Sequence, residues 1–344
     1  MNEKFIWAPD EDQSYSHKHG TQAINPINSF NKSFHSIFTM DAGENTLTLC
    51  FNENDNPDYY KIFWPIQQLT AQENTEKTLG KIINISSGNF KIQGNKEKYV
   101  NFYLNYNTFN KYRINLQNSS TFEIMKANTV RIAGIKKPEE PAVTLSGKSR
   151  FTIDTEKKEQ KSGETEGIIS LNCYFSTTES SIAMLKSHHI HIDGGSIILQ
   201  DNAQVFISAQ RLEIKTDLDE KGDPLSNTNF ILKAGTTSLN LNSLDGIYFP
   251  LDIHREDYPK GVLNFIAEGK KNTGKVVIDV ALKDANAYGL NTMLRKNFTA
   301  INGTMVETGD QMKYFDFSYG QDTRNGNQVG TITISLRNPL LKLS

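Results

Sequence analysis

Cysteine is nearly absent from this chain: of 344 residues only Cys50 and Cys173 carry a thiol. They stand 123 residues apart inside apolar-patterned segments, LTLCF and LNCYF, which read as sites of buried free thiols ahead of a disulfide. A disulfide-built scaffold is therefore not expected. Long apolar runs are missing too. No stretch approaches the roughly 18 consecutive apolar residues that a membrane helix needs, so no transmembrane segment is expected. The opening MNEKFIWAPDEDQSYSHKHG shows no charged segment followed by an apolar run, so no secretory signal peptide is expected. The corresponding localisation is an assembled particle or a protein exported by a route without a signal, with the cytoplasm as the alternative.

Neither sign of charge dominates. Thirty-seven basic residues face 39 acidic ones, for a formal net charge of −2. A nucleic-acid partner normally demands a basic excess or stripe, so none is expected. Helical patterning is scarce; the best segment is ALKDANAYGLNTMLRK, 281–296, where Leu282, Ala285, Leu290, Met293 and Leu294 share a stripe that Gly289 weakens. The chain also lacks a phosphate loop, a nucleophile elbow, a Cys/His zinc set and a dinucleotide fingerprint. No cofactor is expected.

What the chain does have is alternation. Strings of apolar–polar–apolar residues, rich in β-branched and aromatic side chains, recur from residue 45 to residue 336 and specify an all-β protein. In the middle, the inward pairs read Ala183/Leu185, Ile190/Ile192, Ile197/Leu199, Val205/Ile207 and Leu212/Ile214, at steps of seven or eight residues. Ile190 recurs as Leu212 after 22 residues. Such a period predicts a central parallel β-helix, a β-solenoid of about 22 residues per coil, with β-rich terminal regions.

Similar pairs occur upstream (Ile114/Leu116, Phe122/Ile124, Val130/Ile132, Val143/Leu145, Phe151/Ile153) and downstream (Phe230/Leu232, Leu239/Leu241, Ile247/Phe249). The polar segments KKPEEP, DTEKKEQKSGETEG and TDLDEKGDPLSN read as loops extruded at corners. The expected organisation is an N-terminal β-rich cap or attachment region over 1–84, the parallel β-helix over 85–250 and a C-terminal β-rich domain over 251–344. Residues 41–66 read as a hairpin. Asn302-Gly303 and Asn325-Gly326 mark further hairpin turns.

The stretch SHHIHIDGG, 187–195, carries the chain's most distinctive side chains. With Ile190 and Ile192 inward, His189 and His191 share the outer face, and Asp193-Gly194-Gly195 form the bend. A 22-residue step places Arg211 beside His189, Glu213 beside His191 and Lys215 beside Asp193. His189, His191, Arg211 and Glu213 are thus candidates for a ligand surface. His189, His191 and Glu213 are a ligand combination known for iron or zinc, although a cation at Arg211 disfavours a dication. The default for these residues is an ordinary outward polar ladder.

DLDEKGD, 217–223, fails as a calcium loop, because Lys221 and Thr228 occupy the positions where an EF-hand needs oxygen ligands. No catalytic residue is assigned. The acids Asp154, Asp193, Asp201 and Glu213, with Arg131, Arg150 and Arg211, offer no carboxylate pair at a glycosidase spacing. Tyr99, Tyr103 and their Asn neighbours in YVNFYLNYNTFNKY suit sugar stacking, with aromatic capping of the core as the default.

The segment ILKAGTTSLNLNSLDGIYF, 231–249, runs Ala-Gly-Thr-Thr-Ser-Leu-Asn-Leu and then, after Asn-Ser-Leu-Asp, Gly-Ile-Tyr-Phe. It resembles the repeats that end β-solenoid spikes of contractile phage tails and type VI secretion tips, and the resemblance extends weakly over 180–250. It departs from them in its seven-residue steps and in the large non-repetitive region that follows. The resemblance implies a homo-oligomer, a trimer above all, within a particle whose other partners are assembly proteins or surface glycans. The expected function is a structural or binding component of an extracellular or particle-borne assembly, such as a tail, spike or attachment protein. The alternative is a carbohydrate-active enzyme (a lyase or hydrolase) or a glycan-binding protein on the same scaffold. A virion or toxin β-sandwich is the third reading, should the period be accidental.

Overall fold

In the computed structural model, the described residues are 2–8, 11–26, 35–50, 59–62, 80–94, 99–104, 113–134, 140–155, 158–160, 163–165, 167–215, 217–218, 224–226, 228–243, 247–248, 261–282, 297–324 and 326–343. The protein is all-β. Among the described residues α-helix is confined to the single turn Gln311–Tyr314 and to Leu282. No helix among them is long and apolar enough to cross a membrane, which says nothing of strands.

Alternation does what it should locally. Thr121–Ala127 buries Phe122, Ile124 and Ala127 and turns Thr121 and Glu123 outward, and Ile168–Thr177 buries every second residue from Ile169 to Thr177. What the alternation does not supply is the partner of each strand, and here the solenoid expectation is corrected. The strands close on themselves. Gly80–Gln93 pairs with Arg113–Leu116, which pairs with Val143–Leu145, then Ile168–Thr177, Ile182–Asp201, Arg150–Thr155 and Thr121–Ala127, which returns to Gly80–Gln93. The result is a closed seven-strand parallel barrel with further strands outside it, not a β-helix.

The uniform 22-residue coil fails for a related reason. Ile83 pairs with Ile114 and Ile114 with Val143, steps of 31 and 29 residues, while Phe38 pairs with Ile83 after 45. Inward pairs report which face a residue takes; they carry no information about which neighbouring strand supplies the hydrogen bonds. Long strands make the closure. Ile182–Asp201 runs for 20 residues through a corner where Gly194 and Gly195 adopt φ of 69° and 92°. Its ends therefore serve different neighbours: Arg150–Thr155 at one and Asn229–Gly235 at the other.

Two compact units share the chain: residues 1–174 with 185–188, and residues 175–184 with 189–344. In the first, a column of rings fills the interior. Phe38 lies 4.9 Å from Phe90, Phe90 stacks on Phe122 at 5.0 Å, and Phe122 meets Phe151 at 5.6 Å, all fully buried. The expected hairpin over 41–66 is not formed by its described residues. His35–Cys50 pairs in parallel with Gly80–Gln93, and Tyr59–Ile62 pairs in parallel with Tyr99–Leu104. Phe102 is buried, whereas the side chains of Tyr99 and Tyr103 lie outside the described set. Cys173 is a buried free thiol pushed up to about 12 by burial; Cys50 is also free.

In the second unit, Gln204–Lys215 pairs with Ser238–Ser243 and Ile247–Tyr248, and Lys275–Ala281 follows on Ser238–Ser243. The sheet then changes sense. Asn327–Leu336 adds antiparallel to Lys275–Ala281, and Phe315–Arg324 adds antiparallel to Asn327–Leu336 through a turn at Gly326. Thr299–Ile301 and Thr304–Met305 make a small hairpin about Asn302-Gly303. Two extruded segments form their own hairpins, Lys158–Gln160 with Gly163–Thr165 and Asp217–Leu218 with Pro224–Ser226. The helix expected over 281–296 lies outside the described residues from position 283 onward.

Candidate functional site

His189 and His191 sit on one strand and Glu213 on another, with Ile190, Ile192, Leu212 and Ile214 buried beneath them. Each strand thus buries one face and is held to a single register, leaving the polar set on the other face. The two imidazole rings lie 3.7 Å apart between centroids. Glu213 reaches both: Oε1 is 3.5 Å from His189 Nε2 and Oε2 is 3.1 Å from His191 Nδ1. Arg211 also pairs with Oε1 through Nη2, and Lys215 Nζ lies 2.9 Å from Oε2. The four residues expected as a ligand surface are therefore in one place, joined by Lys215, whose ammonium meets Glu213.

Burial divides the cluster. The Glu213 side chain is only 7% exposed and that of His189 12%, whereas Arg211 and Lys215 are half-exposed. Burial opposes the charge on Glu213. The hydrogen bond and charge of Lys215, with the charges of His191 and Arg211, overcome that penalty and hold the carboxyl below its ordinary range. The carboxylate is thus a fixed anion beneath a cationic rim.

Thr228, noted in the sequence only as a failed calcium position, anchors this arrangement. It is fully buried, accepts a 2.8 Å hydrogen bond from the Gly194 amide and donates at 2.6 Å to the Lys215 carbonyl. Both backbones that carry the cluster are thereby tied at one point. No sequence motif announces this role, because it depends on a hydroxyl delivered from 13 residues beyond Lys215.

A second polar feature lies wholly in the first unit. Thr39 pairs with Asn84, Asn84 with Asn115 and Asn115 with Thr144, so four strands place an uncharged hydrogen-bonding side chain in one row. Strand spacing sets their interval at ~4.8 Å. Asn115 Nδ2 donates to Asn84 Oδ1 at 2.8 Å. With Ser86 and Gln117, the row lines a groove of about 410 Å³. Sequence reading missed it because the members are 29 to 45 positions apart and share no motif.

Of the other candidate acids, two are engaged with structural partners, whereas Asp193 Oδ1 is buried with no hydrogen-bond partner. Asp154 pairs with Lys186 at 3.0 Å, and Asp201 accepts from the Glu179 amide at 3.2 Å. No protein-family model, curated protein or solved structure matches the chain.

Proposed function

We propose that this chain is a binding component of an extracellular or particle-borne assembly, of the tail, spike or attachment kind, and that its groove holds a surface glycan. The row Thr39–Asn84–Asn115–Thr144 is the observation that carries the reading. A glycan offers neutral hydroxyls that both donate and accept. Amide and hydroxyl side chains match that capacity and charged ones do not. Parallel strands add a rigid, evenly spaced array, so a ligand meets groups that need little ordering on binding. Binding is favoured over hydrolysis or elimination because three of the four candidate acids, Asp154, Asp201 and Glu213, are committed to structural partners, which leaves Asp193 without a second free carboxylate to pair with.

A glycan array probed with the whole chain tests the reading. Wild-type protein is expected to retain a restricted set of neutral or weakly charged glycans, and Asn84→Ala/Asn115→Ala to lose at least about tenfold in affinity for them, since buried polar contacts left unmade are costly. Equal retention by wild type and a correctly folded double variant would sink the groove. Shortened glycan products appearing during incubation would favour the enzymatic reading instead.

A further inference from the structure

We propose that His189, His191 and Glu213 form a binding site for a divalent transition-metal ion, which enters by displacing Arg211 and Lys215 from the Glu213 carboxylate. This inference stands apart from the glycan reading: it concerns the second unit alone.

The geometry supplies the first reason. Ligand atoms from all three residues lie within 4.8 Å of one another. Metal–nitrogen and metal–oxygen bonds of about 2.0–2.2 Å place neighbouring ligands roughly 3 to 3.5 Å apart around a tetrahedral or octahedral ion. His191 Nδ1 lies 3.1 Å from Oε2 of Glu213 and His189 Nε2 3.5 Å from Oε1, so each imidazole stands at that interval from one oxygen of the carboxylate, though not from the same one. Two imidazoles and a carboxylate are a borderline-hard set suited to zinc, iron, cobalt or nickel.

Preorganisation supplies the second. The four buried aliphatic residues under the two strands fix which face the ligands occupy, and Thr228 ties the strand backbones together.

Charge is the obstacle, and it also makes the idea testable. Arg211 and Lys215 now neutralise the carboxylate, and a dication must compete with both. Their side chains are 50% and 48% exposed on long flexible stems, so each can return to water without dragging its backbone. A dication concentrates on one buried carboxylate the charge that two monocations now share, and it gains two imidazole ligands they cannot use. Removing a competitor should therefore tighten binding, an outcome that a merely structural salt-bridge cluster would not produce.

The experiment uses the full chain, purified without a metal-affinity tag and dialysed against a chelator. Calorimetric titration with zinc chloride is expected to show one ion per chain. Arg211→Ala is expected to tighten the affinity about three- to tenfold. His191→Ala, at a partly exposed position, should weaken it at least tenfold with circular dichroism unchanged. Cobalt(II) titration should give a visible absorption band that depends on His191. Failure of both wild type and Arg211→Ala to take up one equivalent overturns the proposal, as does undiminished uptake by His191→Ala.

Discussion

Phe122 lies fully buried between Phe90 at 5.0 Å and Phe151 at 5.6 Å, each ring from a different strand. Phe122→Ala removes the middle of that column, and the neighbours, fixed by their own strands, cannot collapse into the void. Urea unfolding is expected to show a loss of about 3–5 kcal/mol. A loss below about 1 kcal/mol would mean that the column is not the core it resembles. At this scale much was legible. The burial of Phe122, Ile190, Ile192 and Leu212 follows from alternation, and His189, His191, Arg211 and Glu213 do gather in one place. Across this stretch neighbours are 22 residues apart, as His191 and Glu213 are. Lys215 was expected beside Asp193 but reaches Glu213, because a four-carbon stem can choose among partners that the backbone register does not distinguish.

Among elements, the corners discriminate most sharply. Gly235 has φ of 123°, and a Cβ there would come within 2.1 Å of the Asp201 carbonyl oxygen. Gly303 also has a positive φ, 79°, but a Cβ there meets nothing within 4 Å. Gly303→Ala should cost about 1 kcal/mol, the conformational penalty alone. Gly235→Ala should cost on the order of 3 kcal/mol or more, since backbone must move as well. Thermal unfolding of the two variants checks the order; equal losses would show that the close approach at Asp201 is relieved cheaply. Sequence marked strands and corners well, and Asn302-Gly303 turns as its composition suggests. It did not reveal that Cys50 and Tyr59 end and begin strands with separate partners, because those pairings depend on residues 43 and 40 positions away.

For the molecule as a whole, closure of the sheet replaces the open-ended coil that the periodicity suggested, and a ring leaves no unpaired edge within itself. The C-terminal hairpin is different: Phe315–Arg324 pairs on one side with Asn327–Leu336, and Met312, Tyr319, Leu340 and Leu343 are exposed in the same part of the chain. Consistent with the proposed attachment role, light scattering across a hundredfold dilution is expected to give the mass of three chains. A strict monomer at every concentration would remove the trimer that the resemblance to spikes implies.

Composition and alternation by themselves determined an all-β chain, its buried face residue by residue, and the shared outer face of His189 and His191. These properties are local: each depends on which side of a strand a residue takes, and the pleat decides that with a period of two. The tertiary structure alone decided the barrel, the Thr39–Asn84–Asn115–Thr144 row and the anchoring of the histidine cluster by Thr228. Those depend on strand partners far apart in the chain, chosen by ring packing and by where long strands bend, and the one-dimensional pattern does not encode that choice.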